Sequence, residues 1–189
     1  MFKTLTRWIA AIALAMPLAA NADILQFDVS LSGANEIPAN GSFASGFALI
    51  SYDTVANTYD FFLAATSLSS AVTGAHIHAL ANATQTAPAI VNLLVSPFSK
   101  SVSVSKLFVN GIGVAAPGTI SAGNSHPSQS FLAALQSGLA YINVHTVNNP
   151  GGEIRGQLVA IVPELESYAM LLAGLGLLGF IVRRRSRRL

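Results

Sequence analysis

The chain has 189 residues, no cysteine, and ten Lys and Arg against eight Asp and Glu. That length suits one domain with short appendages, and the missing cysteine removes disulfides, thiolate nucleophiles, iron–sulfur clusters and Cys-based zinc sites. Between residues 23 and 162 only Lys100, Lys106 and Arg155 oppose Asp23, Asp28, Glu36, Asp53, Asp60 and Glu153, a net charge of −3, and so poor a supply of cations excludes a nucleic-acid partner.

Residues 1–22 place Lys3 and Arg7 before a short apolar centre, and Ala20-Asn21-Ala22 forms a small-residue cleavage site. This pattern predicts an export signal removed by signal peptidase, with the mature chain starting at Asp23.

Residues 25–32 alternate, with Leu25, Phe27, Val29 and Leu31 on one face and polar residues on the other. That is a half-buried strand. A loop over residues 33–42 follows, carrying Pro38, Asn40 and Gly41. Further strands are expected at 46–52, 59–64, 71–80, 90–95, 102–109, 141–147 and 154–162. Between two of them, residues 111–127 are rich in Gly, Pro and Ser. Residues 130–138 alone look helical inside the body, with Phe131 and Leu135 four apart before Gly138. About eight strands and no crossover helix predict an all-β fold, an antiparallel Greek-key-like sandwich or flattened barrel with one short helix. Phe27, Phe47, Phe61, Phe62, Phe98, Phe108 and Phe131 are the large side chains expected to anchor its core. Alternation does not allow Phe61 and Phe62 to be buried together.

At the far end an uncharged run over residues 168–182 is followed by five arginines within the last seven residues, beginning at Arg183, Arg184 and Arg185. It predicts a transmembrane helix over about 167–183, with the arginines cytoplasmic and the body outside the inner membrane. As a helix, the run covers only ~22 Å.

Gly74-Ala75-His76-Ile77-His78 sits in a strand pattern, where residues i and i+2 share a face. His76 and His78 are therefore side by side, the way a sheet offers two imidazoles to zinc or copper. On the last hairpin Tyr141, Asn143 and His145 share one face, and Glu153, Arg155 and Gln157 share a face of the return strand. If Val147 pairs with Glu153, His145 lies opposite Arg155 and Asn143 opposite Gln157. A polar stripe of Asn143, His145, Arg155 and Gln157 would result, either a satisfied network or a binding surface, with Tyr141, Asn143, Arg155 and Gln157 as the candidate binding face. His126, in a Gly-Asn-Ser loop, is the remaining histidine. No strained nucleophile elbow, acidic pair or cofactor-binding glycine loop stands out, which predicts a non-catalytic role.

Three resemblances follow from these residues. Pro163-Glu164, the apolar run and the terminal arginines resemble the PEP-CTERM sorting signal over residues 162–189, with Leu165 replacing the usual second proline. That resemblance implies transient anchoring at the inner membrane, recognition by an exosortase-like membrane protease, and delivery to the cell surface or extracellular matrix. Leu31-x-Gly33-x-x-Glu36-x-Pro38, Gly46, the His76/His78 segment and the closing hairpin through Leu158 resemble the CHRD domain over residues 23–161. This implies an exported β-domain acting as a structural or adhesive module, its partner a matrix polysaccharide or surface protein. A more distant likeness is to copper/zinc superoxide dismutase. It implies an alternative in which His76, His78 and His145 hold copper, His126 is a fourth ligand and Arg155 guides an anion. Without the alternative, no cofactor is expected.

Overall fold

The computed structural model describes residues 24–161, together with residue 171 and residues 174–176. The export segment at 1–22 and the sorting residues Pro163, Glu164, Arg183, Arg184 and Arg185 lie outside the described residues.

The body is one antiparallel sheet of ten strands with a single α-helix. In chain order the strands are β1 (Ile24–Ser32), β2 (Ser45–Asp53), β3 (Thr58–Thr66), β4 (Val72–Ala79), β5 (Ala89–Asn92), β6 (Ser99–Val102), β7 (Lys106–Ala115), β8 (Ala140–Thr146), β9 (Ile154–Gln157) and β10 (Ala160–Ile161). They lie in the order β5-β4-β8-β9-β1-β2-β3-β7-β6, with β10 beside β1, and the sheet curls into a half-barrel. The alternation of β1 places Phe27, Val29 and Leu31 inside. Direct pairing then carries the same face through Ile50, opposite Phe27, and on to Phe61.

Tyr52 and Tyr59 stack with centroids 6.5 Å apart, and Phe131 tilts against both. Phe131 begins α1 (Phe131–Gln136), whose start is fixed by the Ser130 hydroxyl accepting from Ala133 N at 3.1 Å. The short helix thus plugs the open side of the sheet with one aromatic ring.

Four expectations need correction. Among the described residues no helix is long and apolar enough to cross a membrane, which contradicts the transmembrane helix expected at about 167–183, a run of which only residue 171 and residues 174–176 are described. The strand expected at 102–109 is instead two, β6 and β7, because Ser103 N donates to the Lys106 carbonyl and closes a hairpin without glycine or proline. The last strand breaks at Leu158, whose N–H turns to the Ala140 carbonyl and leaves β9 and β10 as separate pieces. Of the seven phenylalanines expected inside, Phe27, Phe61, Phe98 and Phe131 are buried, but Phe47, Phe62 and Phe108 stand on the outer face.

Candidate metal centre

Strands β4 and β8 run antiparallel with Gly74 opposite His145, His76 opposite Asn143 and His78 opposite Tyr141. Directly opposed residues share a face, so the three imidazoles emerge on one surface while Ala75, Ile77, Ile142 and Val144 fill the core on the other. One ring nitrogen from each of His76, His78 and His145 lies within 4.8 Å of the other two. Ring centroids are 5.1 Å apart for His76–His145, 5.7 Å for His76–His78 and 6.1 Å for His78–His145. His126 does not join them; it closes a turn with Gly123 in the loop before α1.

The hydrogen bonds decide which nitrogens are free. His78 Nδ1 lies 2.8 Å from the Ala87 carbonyl and His145 Nδ1 lies 3.0 Å from the Pro150 carbonyl. A carbonyl only accepts, so in both rings Nδ1 carries the proton and Nε2 keeps the lone pair. Among the described residues, His78 Nε2, His145 Nε2 and His76 Nδ1 are the buried imidazole nitrogens left without a hydrogen-bond partner. Burial also favours the neutral rings: it pushes His78 down to about 4 and holds His76 and His145 below the usual histidine range. Three clustered imidazoles whose neutral form burial favours, each with a buried nitrogen free of hydrogen bonds, are a candidate ligand set for a transition metal.

Room for the rings depends on Gly74. A Cβ there would stand 2.8 Å from His76 Cε1 and 3.4 Å from His145 Cδ2. Histidine spacing does not single out this residue, although a glycine inside a strand pattern is a signal of close approach.

The same face continues onto β9, with Asn143 opposite Arg155 and Tyr141 opposite Gln157. The expected register is displaced by two residues, since His145 does not face Arg155. Glu153 N bonds the Val144 carbonyl at 2.7 Å, and Thr146 and Asn149 bond each other, so the connecting loop starts earlier than Val147. The Glu153 carboxylate is drawn inside, accepting from Thr146 Oγ1, Ser42 Oγ and Ser69 N.

The polar stripe is present but is not an open binding face. Tyr141, Asn143 and Arg155 are buried. Arg155 is 2 % exposed, and its guanidinium donates to the carbonyls of Gln85 at 2.8 Å and Asn82 at 3.0 Å and to Gln157 Oε1 at 3.1 Å. Its Cζ also lies 3.5 Å from the centroid of the Tyr141 ring, which stacks on His78. Gln157 Nε2 in turn donates to the carbonyls of Ala81 and Gly138. Arg155 and Gln157 therefore pin the 81–85 backbone, just ahead of the Ala87 carbonyl that orients His78. They are positioning residues.

Glu36 is the other residue that spacing alone does not bring to the site. Asn143 Nδ2 donates to its Oε2 at 3.3 Å, while Glu36 Oε1 and Asn143 Oδ1 are both buried without a partner. Burial pushes the Glu36 carboxyl up to about 7 against the opposing effects of Arg155 and Asn143.

Because the folded state holds a proton that the unfolded chain releases above its ordinary 4.5, Glu36 lowers stability as pH rises from 4.5 through about 7. The three histidines act oppositely, since their depressed values cost stability as pH falls below the 6.5 of a free imidazole. Glu36→Gln is therefore expected to stabilise the metal-free protein at pH 8 by on the order of 2 kcal/mol and to change little at pH 4.5. Urea unfolding at the two pH values checks it. An equal shift at both would contradict the assignment.

A family model described as the CHRD domain matches residues 27–158, and one described as the PEP-CTERM protein-sorting motif matches residues 162–187. No curated protein and no solved structure matches the chain, so the likeness to superoxide dismutase gains no support from them. The pairing of these two segments is consistent with a secreted structural or adhesive module, and the second segment is a sorting motif of the kind that implies an exosortase-type system.

Proposed function

From the premise that this chain belongs to the CHRD domain family, we propose that it is a surface or matrix module built around a three-histidine copper site. The observation that carries the reading is that one ring nitrogen from each of His76, His78 and His145 lies within 4.8 Å of the other two, and that His76 Nδ1, His78 Nε2 and His145 Nε2 are buried without a hydrogen-bond partner. Imidazole suits zinc and copper alike, but among divalent first-row ions copper binds a given nitrogen site most tightly. The site is read as a holding site. The Arg155 guanidinium is committed to three oxygen acceptors, which removes the cation that would draw an anion to the metal for redox turnover.

In this reading residues 1–22 are removed by signal peptidase, the tail is processed near Pro163-Glu164 after transient association with the inner membrane, and the body meets a matrix polysaccharide or surface protein. Intact-mass analysis of the surface fraction is expected to give a chain beginning at Asp23; a chain beginning at Met1 would contradict the route.

Copper analysis of the full-length chain tests the site. The expected content is about one ion per chain, lost in His78→Ala and His145→Ala. Gly74→Ala, which pushes only against ring atoms of His76 and His145, is expected to weaken copper at least about tenfold, in the range seen when a site's supporting shell is disturbed, while the protein stays folded. Substoichiometric metal, or metal retained in His78→Ala, would overturn the proposal.

A further inference from the structure

The outer face of β2, β3 and β7 carries a continuous apolar platform that the metal site does not use. Phe47 stands opposite Ala64 and Ala64 opposite Phe108; in the adjacent row Leu49 stands opposite Phe62. Phe47, Leu49 and Phe108 are each 41 % exposed and Phe62 39 %, and Ile112 at the end of β7 is 78 % exposed. The neighbouring outward positions are Ser30, Ser45, Ser51, Asn110 and, directly opposite Leu49, the exposed Asp28, so the platform is an island on a polar surface. A contiguous patch of this kind marks an interaction surface.

Its one cation lies at one end of the strands, while its carboxylates run from Asp28, beside Leu49, to the other end. Lys106 lies at one end, opposite Thr66, and Asp60 lies toward the other, opposite Ser51, with Asp53 beyond it. The stretch of β3 from Asp60 to Thr66 spans about 20 Å at ~3.3 Å per residue. Buried Arg155 and Lys100, which donates to the Leu94 carbonyl, are the other cations of the body.

We propose that this face binds the same face of a second copy, about a two-fold axis that lies in the interface and crosses the strands. Such an axis reverses strand direction, so Lys106 of each copy meets the Asp60 end of the other, and the Phe47/Phe108 row of one interleaves with the Leu49/Phe62 row of its mate. The alternative in-plane axis, parallel to the strands, would stack Lys106 on Lys106 and aspartate on aspartate. A face that is its own electrostatic complement in one orientation is what an isologous dimer requires, and apolar sheet faces stack at ~10 Å with side chains interleaved. For a cohesive surface module, pairing of this kind doubles the number of outward binding sites per particle.

The test uses the full-length chain and sedimentation equilibrium. The wild type is expected to be dimeric, and Phe62→Ser, whose fold is checked by circular dichroism, to raise the dimer dissociation constant at least about tenfold. Lys106→Glu and Asp60→Lys are each expected to be monomeric alone and to form a heterodimer when mixed, because each reversed charge then meets its opposite. Recovery in the mixture also shows that both variants are folded. A monomeric wild type overturns the proposal, as does a dimer unchanged by Phe62→Ser, or Lys106→Glu and Asp60→Lys variants that fail to pair. So does a monomer that instead co-sediments with the cell's own polysaccharide through Phe62, which would assign the face to a glycan.

Discussion

Replacing Arg155 with alanine is expected to cost about 3 kcal/mol of stability, at the level of a large buried side chain truncated to alanine. The loss has identifiable parts. The part-buried carbonyls of Asn82 and Gln85 and the Gln157 side-chain oxygen lose their donor, and an acceptor that stays buried without a partner costs roughly 1–3 kcal/mol. Contact with the Tyr141 ring disappears as well. Partial relief comes from no longer burying a charge. Arg155→Lys is not expected to rescue the protein, because an ammonium cannot reproduce the planar fork that spans these acceptors. Urea denaturation should show a lower midpoint with an unchanged slope. The His78 titration, followed by NMR, should shift as the Ala87 carbonyl loosens. A change below about 0.5 kcal/mol, the ordinary surface range, would contradict the clamp.

Gly152→Ala should be comparably damaging, for a steric reason. The residue has φ +134°, which side chains rarely adopt, and a Cβ would stand 2.6 Å from Asn143 Nδ2, Asn143 Oδ1 and Glu36 Oε1 alike. Strained backbone and a crushed acid–amide pair together predict a loss of about 3 kcal/mol, seen as a melting temperature lower by roughly 10 °C. The neighbouring Gly151 has open space around its would-be Cβ, so Gly151→Ala is the control and should lie within about 0.5 kcal/mol of wild type. Equal effects at the two positions would show that the loop merely dislikes substitution.

Much of this arrangement is legible in the amino-acid pattern because period-2 alternation carries facing information. Alternation alone places His76 beside His78, and Tyr141 with Asn143 and His145. Register is not legible in the same way. The spacing of the last hairpin suggests Val147 against Glu153, whereas the Glu153 side chain is drawn inward by Ser42, Ser69 and Thr146, residues remote from it or across the loop. The polar stripe looks open for a related reason: its cover is the loop carrying Glu36 and the 81–88 segment, both far away in the chain. Phe47, Phe62 and Phe108 read as core because hydrophobicity alone does not distinguish an inner anchor from an outer platform. Gly74 and Gly152 matter for what they leave empty, and an empty volume has no signature in composition.

Electron paramagnetic resonance of the full-length chain loaded with one equivalent of Cu(II) tests the central claim most directly. Nitrogen superhyperfine structure from three equatorial imidazoles is expected in the wild type, with no tightly bound copper in His145→Ala or when His76, His78 and His145 are all replaced by alanine. Copper bound with an unchanged spectrum in the triple variant, or no copper retained by the wild type at neutral pH, would contradict it.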